Sequence, residues 1–236
     1  MSRADCQVCE SESAPYRLGV TLDNVPDFAQ ALQKWGSANR RSFPWRETHD
    51  PFRILVAEVL LQRSRGTTVA KVYEQFFRRW PDAGALAFAQ VPSIRSVIRP
   101  LGLVGRAETL KRLAAAIVEL GGVPRTAGEL MALPGVGRYA ANASLATAFD
   151  QPLATVDGVT ARVYRRYFGM NSTLPASTDP ELWAVVDRVT PRNRVKEWNW
   201  AVLDLAAAVC LPKRPRCDVC PLAPGCSWSA NMRATV

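Results

Sequence analysis

The stretch ALPGVGRYAANASLA, residues 132–146, decides how the rest of the chain is read. Gly135 and Gly137 flank Val136 in a turn that closes one apolar-periodic segment and opens another, so the spacing predicts a hairpin between two helices. The first N–H groups of a helix have no partner inside it, and at a glycine turn no side chain stands in front of them. Such a turn suits a nucleic-acid phosphate gripped independently of base sequence. A bare GxG would serve equally well as a tight turn with glycines placed for their φ alone; the longer LPGVGRY is more specific.

Outward from this hairpin the chain reads as helix nearly throughout. Apolar residues recur at three- and four-residue spacing over 25–40, 50–65, 67–80, 94–102, 106–122 and 138–150, and C-terminal helices are expected around 181–189 and 197–209. Alternating strand patterns are absent, and Gly and Pro punctuate the segments at short connections. The expected class is therefore all-α. No apolar run reaches the length of a membrane span, and the first twenty residues carry charges where a signal peptide needs an apolar core, which places the chain in the cytoplasm, off the membrane.

Charge points to a partner. Lys and Arg number 30 against 21 Asp and Glu, a net charge of +9 on a chain of 236 residues with 48% hydrophobic content. A folded basic surface with arginines spread over many segments suits a polyanion.

Four of the six cysteines fall within VCLPKRPRCDVCPLAPGC, residues 209–226, as Cys210, Cys217, Cys220 and Cys226. In a reducing compartment a clustered quartet argues for a metal site over two disulfides. Zn²⁺ and an iron–sulfur cluster both accept four thiolates, and the 6-2-5 spacing differs from the paired CxxC knuckles usual for structural zinc. Cys6 and Cys9 form a lone CxxC in a polar N-terminus and are unassigned thiols. ATVDGVTARVYRRYFG, residues 154–169, sets Asp157 ahead of an arginine-rich amphipathic segment, where an aspartate by itself reads as an N-cap.

Taken together, LPGVGRY, the VDG that follows, C-x6-C-x2-C-x5-C, and FPWRETHDPFRILVAEVLLQRSR at 43–65 resemble the helix-hairpin-helix DNA glycosylases of the endonuclease III superfamily. The resemblance covers about residues 25–228 and is nearest to the Mig-type thymine glycosylases of G/T mismatches and to the adenine glycosylases. It implies two helical lobes around a DNA-binding cleft: a six-helix barrel over 48–165 that carries the hairpin, and a discontinuous iron–sulfur lobe from 21–47 and 166–236, after a flexible stretch at 1–20. It implies a [4Fe–4S] cluster on the four cysteines, bracing a basic loop with Lys213, Arg214 and Arg216 against DNA phosphates.

The same resemblance assigns roles. Asp157 matches the aspartate that stabilises positive charge on the sugar as the N-glycosidic bond breaks. Glu58, set among Val56, Val59, Leu60 and Leu61, matches a pocket acid suited to giving a proton to the leaving base. Arg63, with Gln62 beside it, matches the wedge that fills the gap left by a flipped base. Leu133, Gly135, Val136, Gly137 and Arg138 form the DNA-gripping hairpin. Tyr139 stands where strand-nicking members carry a lysine, which implies a monofunctional enzyme that leaves an abasic site. An arginine-bearing wedge, and the chain's end soon after Cys226, favour thymine or uracil opposite guanine over adenine opposite guanine or 8-oxoguanine. A non-catalytic iron–sulfur DNA-binding protein is the rival class, against which Asp157 and Glu58 both count. One departure is Val159, where the family usually has Asn or His. The expected partner is double-stranded DNA holding a mismatched or damaged base, bound by a monomer. Trp45, Trp198 and Trp200 are expected to pack in the cluster-bearing lobe.

Overall fold

Five of the helix starts are written by short polar side chains. In the computed structural model, which describes residues 22–102 and 105–234, Asp50, Asp82, Asp157 and Asp179 each accept from backbone N–H groups of the helix that follows, and Thr126 does the same. The helices are α1 (Val25–Asn39), α2 (Pro51–Leu61), α3 (Gly66–Arg79), α4 (Ala83–Ala87), α5 (Val91–Ile98), α6 (Arg106–Glu119), α7 (Ala127–Met131), α8 (Arg138–Ala148), α9 (Gly158–Phe168), α10 (Pro180–Val189), α11 (Val195–Ala208) and α12 (Ser227–Ala234). No strand occurs among the described residues, so the class is all-α as expected. Cys6 and Cys9, and the N-terminal stretch expected to be flexible, lie outside the described residues.

Differences from the expected helices have local causes. The helix read over 50–65 ends at Leu61, because Gln62 turns extended and Arg63 takes a left-handed φ of 56°. Helices α4 and α7 escaped periodicity because five residues make little more than one turn.

Apolar faces collect into two cores. The first joins Leu55 and Leu60 of α2, Phe76 of α3, Ile94 of α5, Leu110 of α6 and Ala141 of α8. The second joins Phe28 and Leu32 of α1 with Tyr164 of α9, Val186 of α10 and Trp198 and Leu205 of α11, so the start of the chain packs against its far end. Phe28 centres the second core, its ring 4.7 to 5.8 Å from those of Tyr164, Tyr167, Phe168 and Trp198. Helix α1 lies directly on α11 at Gly36, where an added Cβ would come within 2.5 Å of the Ala201 Cβ, so a larger residue there would force the helices apart.

The tryptophans divide differently from expectation. Trp198 packs in the second core, but Trp45 belongs to the first, stacked on Phe43 at 4.7 Å and tilted against Tyr73 at 5.9 Å. The short 3-10 turn Pro44–Arg46 that carries it packs on α2 and α3, while its Arg46 reaches across to α11. Trp200 sits between the guanidinium groups of Arg40 and Arg46, at 4.5 and 5.1 Å.

Candidate active site

The ends of α2, α8 and α9 converge on a cavity of about 540 Å³. Helix α8 presents Tyr139, Ala143 and Thr147 at four-residue spacing, one face of the helix, and Glu58 and Gln62 of the α2 end do likewise. Asp157 reaches the cavity from the start of α9. Its Oδ1 accepts from the backbone N–H groups of Val159 at 2.9 Å and Thr160 at 2.7 Å and from the Thr160 hydroxyl at 2.9 Å, while its own N–H donates to Thr160 Oγ1. One oxygen thus caps the helix, and Oδ2 makes no hydrogen bond among the described residues. The aspartate is an N-cap and a cavity carboxylate together, because each role uses a different oxygen.

Glu58 is partly buried, with Oε2 fully buried and without a partner in the protein. Burial, and to a lesser degree the Asp157 carboxylate, push its pKa up to about 8, against a smaller opposing pull from Arg46, so it is protonated at neutral pH. Burial and the same two carboxylates hold the Tyr139 phenol well above its ordinary range. The cavity therefore offers two neutral O–H groups facing one carboxylate oxygen.

Arg46, which no local pattern in FPWR distinguishes, is central to the site. Its side chain is 3% exposed, and its two terminal nitrogens bind the two oxygens of Asp204 on α11 at 2.8 and 3.0 Å. Arg41 adds Nε to Oδ1 at 2.6 Å and its backbone N–H to Oδ2 at 3.0 Å. Burial alone would raise the Asp204 carboxyl, but these bonds outweigh it and hold it below the ordinary carboxylate range. A depressed carboxylate stabilises the fold above its unfolded pKa, so this contribution is lost as the pH falls into the acid range. Replacing Asp204 by Ala leaves the buried Arg46 cation unpaired between the two cores. A loss of about 3–5 kcal/mol in chemical denaturation is expected; a midpoint unchanged from wild type would remove the pair from the list of stabilising contacts.

Gln62 and Arg63, the expected wedge, stand exposed at the rim of the cavity. The left-handed φ of Arg63 is uncommon for a residue with a Cβ and is held from outside. Arg106, which sequence periodicity did not reveal, donates Nη1 to the Leu60 carbonyl at 2.7 Å and Nη2 to the Gln62 carbonyl, clamping the turn from beneath. Gln62 in turn donates Nε2 to the Gly135 carbonyl at 2.8 Å, tying the wedge to the hairpin.

In the hairpin, Gly135 has a φ of 78°, and a Cβ there would run into the Thr109 methyl, so this glycine is required twice over. Gly137 is different. Its φ of −96° is open to any residue and a Cβ would meet nothing, yet no side chain caps α8, so its smoothness leaves the first N–H groups bare. Leu133 and Val136, expected among the DNA-gripping residues, have their side chains in the first core; what they leave at the surface is backbone. Arg138 is exposed with its guanidinium 3.5 Å over the Trp183 ring. Val159 is 40% exposed, its N–H serving Asp157 and its side chain outside the cavity lining.

Cys210, Cys217, Cys220 and Cys226 line one small cavity beyond α9, and none of them forms a disulfide. Among the described residues no three His, Cys, Asp or Glu side chains are grouped as ligands of a metal ion. The surroundings nonetheless suit thiolates: Arg166 of α9 places Nη1 3.4 Å from Cys210 Sγ, the Leu222 N–H faces the Cys220 sulfur, and those of Trp228 and Ser229 face Cys226. Lys213, Arg214 and Arg216 are exposed on the loop between Cys210 and Cys217.

Residues 56–188 match the HhH-GPD superfamily of base excision DNA repair proteins. A thymine/uracil-DNA glycosylase of Pyrobaculum aerophilum is 39% identical over 203 residues, which are 83% of this chain and 88% of that protein. An adenine DNA glycosylase of Rattus norvegicus is 34% identical over 228 residues, 92% of this chain but 44% of that longer protein. The structure of a thermostable thymine-DNA glycosylase superposes with a TM-score of 0.84 at 32% identity, over 88% of this chain and 97% of that one.

Proposed function

The chain belongs to the HhH-GPD superfamily of base excision DNA repair proteins, and from that premise we propose that it is a monofunctional DNA glycosylase excising thymine or uracil opposite guanine. The observation that carries the reading is the pairing of Asp157 and Glu58 on one cavity, with Asp157 Oδ2 open and Glu58 neutral. As the bond between sugar and base lengthens, positive charge grows on the sugar and negative charge on the base. Asp157 Oδ2 lies free to stabilise the first and to orient a water, while the Glu58 acid donates to a carbonyl of the departing base. A base reaches this cavity only by leaving the duplex, and Arg63 on its held turn fills the space behind.

Among the described residues no lysine lines the cavity, and the Tyr139 phenol stands where an amine would be needed, which supports hydrolysis without strand nicking. The thymine/uracil-DNA glycosylase is 39% identical to this chain against 34% for the adenine glycosylase, which supports the pyrimidine reading. Away from its seams the two cores support the proposed division into lobes at 48–165 against 21–47 with 166–236; at the seams Phe43 and Trp45 pack in the first core and Ala154 to Tyr164 on the second.

The four cysteines on one cavity, with N–H groups and Arg166 directed at sulfur, fit a [4Fe–4S] cluster held by Cys210, Cys217, Cys220 and Cys226. When bound, such a cluster supplies a covalent cross-link that fixes the basic loop of Lys213, Arg214 and Arg216. The hairpin amides and this loop would then grip the backbone of double-stranded DNA, and the protein would act as a monomer. No helix among the described residues is long and apolar enough to cross a membrane.

The test is excision from end-labelled duplexes holding G/T, G/U, A/G and A opposite 8-oxoguanine, each read with and without alkali. Cleavage of the T or U strand only after alkali is the expected result. Cleavage of the A strand would move the chain to the adenine branch, nicking without alkali would refute the monofunctional reading, and binding without any cleavage would make it a DNA-binding protein alone.

A further inference from the structure

Two buried polar atoms on the cavity walls have no partner in the protein: Glu58 Oε2 and Thr155 Oγ1. Thr155 is 3% exposed and lies two residues before Asp157, in the irregular stretch that leads into α9. Its backbone N–H donates to Asn199 Oδ1 at 3.3 Å, and Asn199 Nδ2 donates to the Leu153 carbonyl at 3.1 Å, so both ends of that amide are engaged. Arg46 is engaged as well, by Asp204. Thr155 is thus locked in place by its backbone, and its hydroxyl, on a residue that lines the cavity, has no hydrogen-bond partner in the protein. A buried hydroxyl without a partner is costly to the fold and is retained where something outside the chain completes it.

We propose that Thr155 is a base-contacting specificity residue, its hydroxyl and the Glu58 carboxyl together holding the polar edge of the flipped base. The assignment rests on the reading of the chain as a thymine or uracil glycosylase and deepens it. Two O–H donors on the walls of one cavity match the two carbonyls of a pyrimidine dione. Adenine's ring nitrogens accept from such donors as well, so the rates on the two kinds of duplex decide whether the pair discriminates between them. Thr155 takes no part in the water's attack; it acts on which base is held and how well its carbonyl is aligned with the Glu58 acid.

Thr155→Val tests this, because valine keeps the shape, removes only the hydroxyl and leaves the backbone bond to Asn199 in place. Single-turnover excision would be measured on G/U, G/T and A/8-oxoguanine duplexes, beside affinity for a duplex holding a tetrahydrofuran abasic site and the thermal melting temperature. The expected result is at least about a tenfold fall in rate on the pyrimidine duplexes, with abasic-site affinity and melting temperature no lower than wild type and recovery by Thr155→Ser. An unchanged rate overturns the base contact. So does an equal loss of affinity for the abasic duplex, which holds no base and would mark the hydroxyl as structural. The wild-type enzyme on the same duplexes judges the parent reading separately: excision of adenine alone, or of nothing, overturns that reading and the pyrimidine match with it, whereas pyrimidine excision untouched by Thr155→Val overturns only the role of Thr155.

Discussion

Asp157→Asn is expected to cut excision at least about a thousandfold while leaving binding to a mismatched duplex within about twofold. The reason lies in the division of labour between the two oxygens. Oδ1 holds the start of α9 through Val159, Thr160 and the Thr160 hydroxyl, and an asparagine carbonyl can keep all three bonds. The amide nitrogen then replaces Oδ2, removing the negative charge where positive charge develops on the sugar. A small change in melting temperature together with lost excision is the predicted pairing. Lost binding along with lost activity would instead make the aspartate chiefly a cap, and full activity would remove it from the chemistry.

Glu58→Gln should produce an unusual combination, a strong loss of excision with a gain in stability. Glu58 is held neutral with a pKa of about 8, so folding at high pH carries the cost of either protonating it or burying its charge. For an acid raised from 4.5 to about 8, the full stability is present below the lower value and declines as the pH rises through the upper one. Glutamine is neutral throughout and escapes this penalty. Denaturation at pH 9 should therefore find the variant more stable by roughly 2–4 kcal/mol, with the difference vanishing near pH 4. Excision should fall roughly 100-fold or more at neutral pH, since an amide hydrogen bonds but does not protonate. The wild-type rate should itself fall as the pH passes about 8, and that alkaline limb should be absent from the residual activity of Glu58→Gln. A variant no more stable than wild type at pH 9, or a wild-type rate flat from pH 7 to 9, would show that the group is not held protonated.

Both effects illustrate how sites of chemistry draw on the stability of the surrounding fold. The unpartnered Glu58 and Thr155 and the left-handed Arg63 are each unfavourable taken alone, and all three border the same cavity. The offset is visible nearby, in the Arg46–Asp204 pair that ties the two cores and in Arg106 beneath the wedge turn.

The sequence by itself determined the longer helices, the glycine hairpin and the cysteine quartet, because each is written in spacings of a few residues: periodicity, turn composition and ligand interval are all short-range. Asp157 and Glu58 are marked only by the family resemblance, since by its local pattern the aspartate reads as an N-cap. What only the tertiary structure decided depends on residues far apart in the chain. Arg46 meets Asp204 across 158 positions, Arg106 reaches back 46 to the end of α2, and Thr155 shares a cavity wall with Glu58 because α2, α8 and α9 end at one place. Nothing in the neighbourhood of Thr155 in sequence distinguishes it from an ordinary residue leading into a helix. Its character as a hydroxyl without a partner comes from burial, and burial is a property of packing between elements that no local pattern encodes.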